Sequence, residues 1–290
     1  MLIPPLMLLD TFVVLVMFSI GLRVRGSELL DVVRGRSILI RTLVANCIVV
    51  PAIGFLLAYI FPLTPDAMIG LLLLAAIPGT PIAMQFTGRV ESRLAFAAGM
   101  TALLSLVSIV MTPLAVEAFP QTARHSERPI ASLITAIVLY IALPLCIGLW
   151  VGRLVPRISR RLVLPLVILA TVAFIYLMWE TRLVRRQALH AVAGRGTILA
   201  MVLLLLSSMV IGWMIARGAD ADTKRVLATS TSMRNVVMVL YIARFCFPGT
   251  GVYMVPIVYL SMMVPANMLF HLSFAVWHRL RRPSPQTQPT

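Results

Sequence analysis

The chain is 290 residues long, 60% hydrophobic and only 12% charged, with a mean hydropathy of +0.98. Soluble domains run near half apolar and a quarter charged, so a soluble enzyme is excluded. The formal net charge of +15 does not mark a nucleic-acid binder either, because the basic residues occupy short gaps between apolar runs.

In chain order, apolar stretches between polar breaks predict nine transmembrane helices, at 3–22, 37–60, 67–87, 93–117, 130–152, 162–179, 196–216, 226–246 and 252–277. Met1 to Leu22 lacks a basic n-region and is long enough to span, so it reads as a helix and not as a cleavable leader. The connections are short, which leaves a single membrane domain over 1–290. Basic residues set its orientation. Arg23, Arg25, Arg34, Arg36, Arg41, Arg89, Arg93, Arg153, Arg157, Arg160, Arg161, Arg217, Lys224, Arg225, Arg279, Arg281 and Arg282 fall on one side, 17 against 7 in the alternate gaps. That side is expected to be cytoplasmic, with the N-terminus outside and a short C-terminal tail at 280–290 inside an inner membrane. The loop from Arg182 to Arg195 runs against the trend and reads as an amphipathic segment at the interface.

Two spans do not read as plain helices. In the third, Pro78-Gly79-Thr80-Pro81 interrupts an apolar run, and each proline removes a donor and clashes with the preceding turn. In the eighth, Thr229-Ser230-Thr231-Ser232-Met233-Arg234-Asn235 is polar where lipid would demand apolar side chains. Backbone groups freed in hydrocarbon must face protein or a wet cavity. Interrupted spans at matching places in two halves point to a transporter of inverted-repeat design, with half-helix ends holding an ion or substrate near the midplane.

At these residues the chain resembles the bile acid/sodium symporter family over nearly its whole length. Val16-Met17-Phe18-Ser19-Ile20-Gly21-Leu22 resembles an MFxxGL segment, and Asn46, five residues before Pro51, stands where the family has Gln. Pro78-Gly79 resembles the PGG opening the first broken helix, Met100-Thr101 and Met111-Thr112-Pro113 match the next helix, Ser230 to Asn235 parallels an ExGMQN-like run, and Asn267 matches an Asn of the last helix. The resemblance implies an all-α polytopic fold with two crossing broken helices. A core domain would cover 37–117 and 196–279, and a panel domain 3–22 and 130–179. Family members with ten helices carry one more at the N-terminus.

The resemblance also implies where sodium would bind, and this chain departs there. The family's Ser-Asn pair becomes Ala83 and Met84, its Ser becomes Ala97, Thr101 stays, and the Glu-to-Gln run becomes Ser230, Thr231, Ser232, Met233 and Arg234. Sodium wants oxygen ligands, which alanine and a thioether do not supply. Both sodium sites are therefore expected to be degenerate at Asn46, Ala83, Met84, Ala97, Thr101, Ser230, Thr231, Met233 and Arg234.

An ionisable group within a span is a functional candidate by default, and Arg234 is the sharpest. Its guanidinium is read as replacing the bound cation, as pairing with an anionic substrate, or as a structural partner of half-helix carbonyls. Thr80, Pro81, Asn235 and Asn267 complete the expected substrate-binding set. Asp10, Glu117 and Arg41 read as solvated or snorkelling groups near span ends. His125, His190, His271 and His278 read as ordinary surface or interface residues. Cys47, Cys146 and Cys246 read as buried free thiols, and with no His-Cys-Asp constellation neither a metal nor a cofactor is expected.

The function expected is a sodium-independent, alternating-access carrier of a small organic anion, and not an enzyme. Its partners are that anion and the lipid bilayer, with no nucleic acid. Two other readings stay open. One is a non-transporting membrane sensor or binding homologue. The other is an arsenite-permease-like efflux carrier, for which Cys47 is the plausible thiol.

Overall fold

In the computed structural model the described residues are 5–23, 32, 34–79, 94–118, 130–180 and 196–280, and every regular element among them is helical. They form α1 (Pro5–Arg23), α2 (Arg36–Ile60), α3 (Pro65–Ala76), α4 (Leu94–Ala118), α5 (Ile130–Ile137 running on to Leu143–Leu154), α6 (Pro156–Glu180), α7 (Thr197–Ile215), α8 (Ala221–Ser232), α9 (Val236–Cys246) and α10 (Met254–Leu280). Among the described residues six stretches are long and apolar enough to cross a bilayer: Arg36–Ile60, Gly99–Glu117, Ile134–Leu154, Thr197–Ile215, Ala221–Cys246 and Met254–Phe274. At about 1.5 Å per residue, 25 residues reach about 37 Å, enough for a hydrocarbon core of about 30 Å. Large apolar side chains such as Ile48, Tyr59, Trp150, Leu164, Trp179 and Leu269 face outward. A surface of that kind is stable against lipid and not against water. The chain is a polytopic α-helical membrane protein.

Helix limits follow local chemistry. α6 begins at Pro156, six residues before the expected start, because proline suits the first turn, where its missing N–H has no partner to lose. α8 begins at Ala221 rather than 226, since Asp220 accepts from Thr223 N at 3.3 Å and from Thr223 Oγ1 at 2.7 Å as an N-cap. Two helices carry a single π-helical turn, Ala45–Val49 in α2 and Val138–Ala142 in α5. Each turn ends two residues before a proline, Pro51 and Pro144. The wider turn relieves the clash between the proline ring and the carbonyl four residues back.

One group of helices consists of α1 packed on the second half of α5 and on α6. Gly21 and Gly148 let the backbones of α1 and α5 touch: a Cβ on Gly148 would lie 2.4 Å from the Phe18 carbonyl oxygen. Ser159 Oγ donates to Leu22 O at 2.7 Å and fastens α6 to the end of α1. The other helices surround α8 and α9, whose residues from Val226 to Ala243 are all buried. Protein, not lipid, therefore encloses the most polar span.

Candidate functional site: the crossing of two interrupted helices

α3 and α8 have 12 residues each, about 18 Å, and α9 has 11. Each covers roughly half of a hydrocarbon core of about 30 Å, so each ends near mid-membrane. α3 stops at Ala76 because Pro78 cannot donate to the Leu74 carbonyl and Gly79 turns the chain away at φ +72°. α8 stops at Ser232, and α9 starts at Val236. The interruption is narrower than the polar run predicts. Thr229 to Ser232 are helical, and only Met233, Arg234 and Asn235 depart from the helix. Ser230 and Ser232 donate to the carbonyls of Leu227 and Thr229, three residues back, which satisfies the hydroxyls without unwinding the turn.

The two interruptions meet. Asn235 N donates to Ile77 O at 3.3 Å, a direct backbone link between the broken segments. Beside it lies Arg234, fully buried. Its Nε donates to Leu74 O at 2.9 Å, its Nη2 donates to Ala75 O, and its Nη1 donates to Asn46 Oδ1 at 2.9 Å. Leu74 O is the carbonyl that Pro78 leaves without a partner, and Ala75 O is the next. The guanidinium thus sits on the free carbonyls at the negative end of a half-helix dipole. All three of these acceptors are neutral oxygens, so among the described residues the positive charge is held by dipoles.

Asn46 reaches this point from the π-helical turn of α2. Its Nδ2 donates to Thr42 O at 3.0 Å and to Thr231 Oγ1 at 3.3 Å, so one amide joins α2, α8 and the arginine. Asn235 caps α9, accepting from Met238 N at 3.1 Å, and donates through Nδ2 to Ser108 Oγ at 3.3 Å. Asn267 on α10 accepts from Ser232 Oγ at 3.1 Å and donates to Met263 O. Tyr259, also on α10, donates its hydroxyl to Ser232 O at 3.1 Å and satisfies the last turn of α8.

Of the expected site residues, the structure gathers Asn46, Ser230, Thr231, Met233, Arg234, Asn235 and Asn267 around the second interruption, all buried. Ala97 and Thr101 are buried on α4, and Thr101 Oγ1 has no hydrogen-bond partner among the described residues. Thr80, Pro81, Ala83 and Met84 lie outside the described residues, as does the loop from Arg182 to Arg195. Sequence reasoning missed Ser105 and Ser108, which with Thr101 and Thr112 line one buried face of α4. Their offsets of four, three and four residues are a helical stripe that could have been read. It also missed Tyr259, whose aromatic ring gives no such signal inside an apolar run.

Two expectations are corrected, for His271 and for the cysteines, and one is refined. His271 is not a surface residue: it is 5% exposed, with Nε2 2.9 Å from Thr229 Oγ1 and Nδ1 3.3 Å from Arg225 Nη2. Arg225 can only donate, so Nδ1 is the acceptor and Nε2 carries the proton toward Thr229. Arg41 extends toward exposed partners at the end of its span, as expected, and makes specific bonds there. Its Nη1 donates to Ile215 O at 3.0 Å and caps the C-terminus of α7, while Nη2 donates to Ser37 Oγ at 2.7 Å. Among the cysteines only Cys246 is buried, because Cys146 faces outward on α5 and Cys47 is half-buried beside Asn46.

The profile of the Sodium Bile acid symporter family matches residues 11–190, more than half of the chain. The chain belongs to that family. No curated protein matches it. The family is one of membrane transporters, and the matched stretch runs from α1 through α6. It ends before α8 and α9, between which Arg234 lies.

Proposed function

We propose that the protein is an alternating-access carrier of a small organic anion that works without sodium, with Arg234 as a cation tethered in place of a bound one. The observation that carries this reading is the fully buried guanidinium donating to Leu74 O, Ala75 O and Asn46 Oδ1 where the interrupted helices meet. Carbonyls freed at a half-helix C-terminus are natural ligands for a cation. Here a side chain that cannot be deprotonated takes them. A sodium ion about 4 Å away would meet a repulsion of about 4 kcal/mol at an effective dielectric of 20, close to a thousandfold in affinity. Ala97 adds no oxygen to offset it.

The same charge favours an anionic cargo. A guanidinium whose acceptors among the described residues are neutral oxygens raises the positive potential at the crossing, and a carboxylate or sulfonate brought near it gains electrostatically. Asn235 and Asn267 hold the interruption in shape, and Thr80 and Pro81, which follow Gly79 in the sequence, are read as part of the same substrate-binding set. On this reading the panel is α1, α5 and α6, and the remaining helices form the core of a nine-span inverted repeat. The arginine-rich side faces the cytoplasm.

The test is uptake of a panel of labelled carboxylates and sulfonates into proteoliposomes, with sodium or choline as the only external cation. Saturable uptake of one anion, equal in both salts, is the expected result. Saturable dependence on sodium would sink the tethered-cation reading. Binding of that anion without flux would replace a carrier with a sensor.

A further inference from the structure

His271 is a buried titratable group for which the crossing has no use. It follows Asn267 on α10 by one helical turn, about 6 Å along the axis, and meets α8 through both ring nitrogens. Nδ1 is 3.3 Å from Arg225 Nη2, and Nε2 is 2.9 Å from Thr229 Oγ1. A guanidinium only donates, so Nδ1 is bare in this arrangement and Nε2 carries the ring proton. α8 and α10 are thus joined at two levels. At the crossing, Ser232 Oγ donates to Asn267 Oδ1 and Tyr259 donates to Ser232 O, and none of these groups changes charge near neutral pH. At the next level the joint is a histidine, which does.

Among the described residues, the charged groups at the ring come from α8. Arg225 also holds Asp222 Oδ1 through Nη1 at 3.4 Å, and its Cζ lies 5.4 Å from the Phe274 ring centroid. Their side chains are 16% and 35% exposed, so water reaches the pair that borders Nδ1. Lys224 turns instead to the Trp213 ring of α7, a helix with no titratable residue in its length. α3 and α9 also pack on α10. Asp66 of α3 accepts from Gly251 N and Arg244 of α9 lies over the Tyr253 ring, about 27 Å from His271 along α10. Tyr241 and Cys246 of α9 follow the crossing toward that same far end.

A proton on Nδ1 removes the acceptor that Arg225 uses and sets two cations side by side. Arg225 has a second partner in Asp222 and can move to it, while the bond from Nε2 to Thr229 survives. One link between α8 and α10 breaks, and one positive charge is added about a turn from the crossing. Unlike the Arg234 guanidinium, that charge can also leave.

We propose that His271 is a proton-binding site of the carrier, at which a proton taken up on Nδ1 displaces Arg225 toward Asp222, loosens α8 from α10 beside the crossing, and travels with the anion. The last step alone rests on the carrier reading above. The proton passes from water to Nδ1, Nε2 keeps its own, and no covalent bond to a heavy atom changes.

The first measurement is 15N NMR of the detergent-purified protein labelled at histidine, from about pH 8 to about pH 5, with the proton as the only titrant. Nδ1 of His271, assigned by its loss in His271→Gln, should pass from bare to protonated while Nε2 stays protonated throughout. In Arg225→Met the proton has no cation to displace, and the profile should move by about tenfold or more in proton concentration. An Nδ1 already protonated at about pH 8 or still bare at about pH 5, or a profile that Arg225→Met leaves in place, overturns the proton site whatever the protein transports. The second measurement is uptake of labelled sulfonates and carboxylates into proteoliposomes under an inward gradient of one pH unit, less uptake into protein-free vesicles. One proton per monovalent anion should sustain about tenfold accumulation. His271→Gln, whose amide can keep both bonds but takes no proton, should lose that accumulation. A ring that titrates in a carrier that the pH gradient does not drive overturns the coupling. Absence of uptake at every pH overturns the carrier reading instead, and the titration still decides the site.

Discussion

Arg234→Ala is the perturbation that separates a tethered cation from an incidental buried arginine. The substitution removes donors to Leu74 O, Ala75 O and Asn46 Oδ1. Each such bond to a charged donor is worth about 1.5–3 kcal/mol, and each acceptor left buried and unpaired costs about 1–3 kcal/mol. Against this, burying the charge already costs the wild type several kcal/mol in lost hydration. The net expectation is a loss of about 3 kcal/mol, because three acceptors are orphaned and only one charge is relieved. The variant also leaves a vacant space edged by three oxygens, which is a cation site. Sodium, or free guanidinium, at about a hundred times its dissociation constant should then restore about 2.7 kcal/mol. The assay is the unfolding temperature in detergent, in sodium, guanidinium or choline at equal low ionic strength. In the wild type, sodium and choline should be indistinguishable, and in the variant sodium should stabilise. Two results refute the reasoning: sodium-specific stabilisation of the wild type, or a variant as stable as the wild type and indifferent to cations.

Three further substitutions test the frame around that charge. Asn235→Ala removes the cap on Met238 N and should cost about 1 kcal/mol, whereas Asn235→Asp keeps the accepting oxygen and should lose less; equal losses in thermal unfolding would argue against the cap. Gly148→Leu would press a side chain against the Phe18 carbonyl, which cannot yield, and should cost about 3 kcal/mol or more; wild-type stability would show that α1 and α5 are not in backbone contact. His271→Ala leaves the Thr229 hydroxyl without its ring partner inside the bundle and should cost about 1 kcal/mol, again read from thermal unfolding. A neutral outcome would return His271 to the surface role its sequence position suggests.

The apolar runs and the arginine gaps were legible because lipid constrains composition directly, and α2, α4 and α7 begin and end within a residue or two of the expected limits. The interruption at Pro78 was equally readable, since proline and glycine act on the backbone alone. What the sequence could not show is who satisfies the freed carbonyls. Arg234 and Leu74 are 160 positions apart, and nothing local to either residue marks the pairing. The polar run Thr229 to Asn235 announced a break but overstated its length, because hydroxyls that bond back to their own helix have the same composition as hydroxyls that stabilise an unwound one. His271 went astray for a related reason. Its neighbours Phe270, Leu272 and Phe274 place it near a helix end in one dimension, but its partners sit on α8.

A cation that is part of the chain has a thermodynamic consequence for transport. An ion gradient drives a carrier only if the ion binds on one side and leaves on the other, so that its own free energy enters the cycle. A guanidinium fixed to the backbone at Arg234 never leaves and can contribute no such term. It stabilises the crossing in every conformation that preserves its three bonds. If the protein is the sodium-independent anion carrier proposed above, it should equilibrate its anion or exchange one anion for another unless a different ion is coupled. In proteoliposomes with an imposed inward sodium gradient, the steady-state internal anion should equal that reached without the gradient. Vesicles preloaded with unlabelled anion should, in contrast, accumulate label transiently by counterflow. Concentrative uptake that collapses when the sodium gradient is dissipated would mean that a mobile sodium ion still crosses with the cargo, and that Arg234 does not stand in its place.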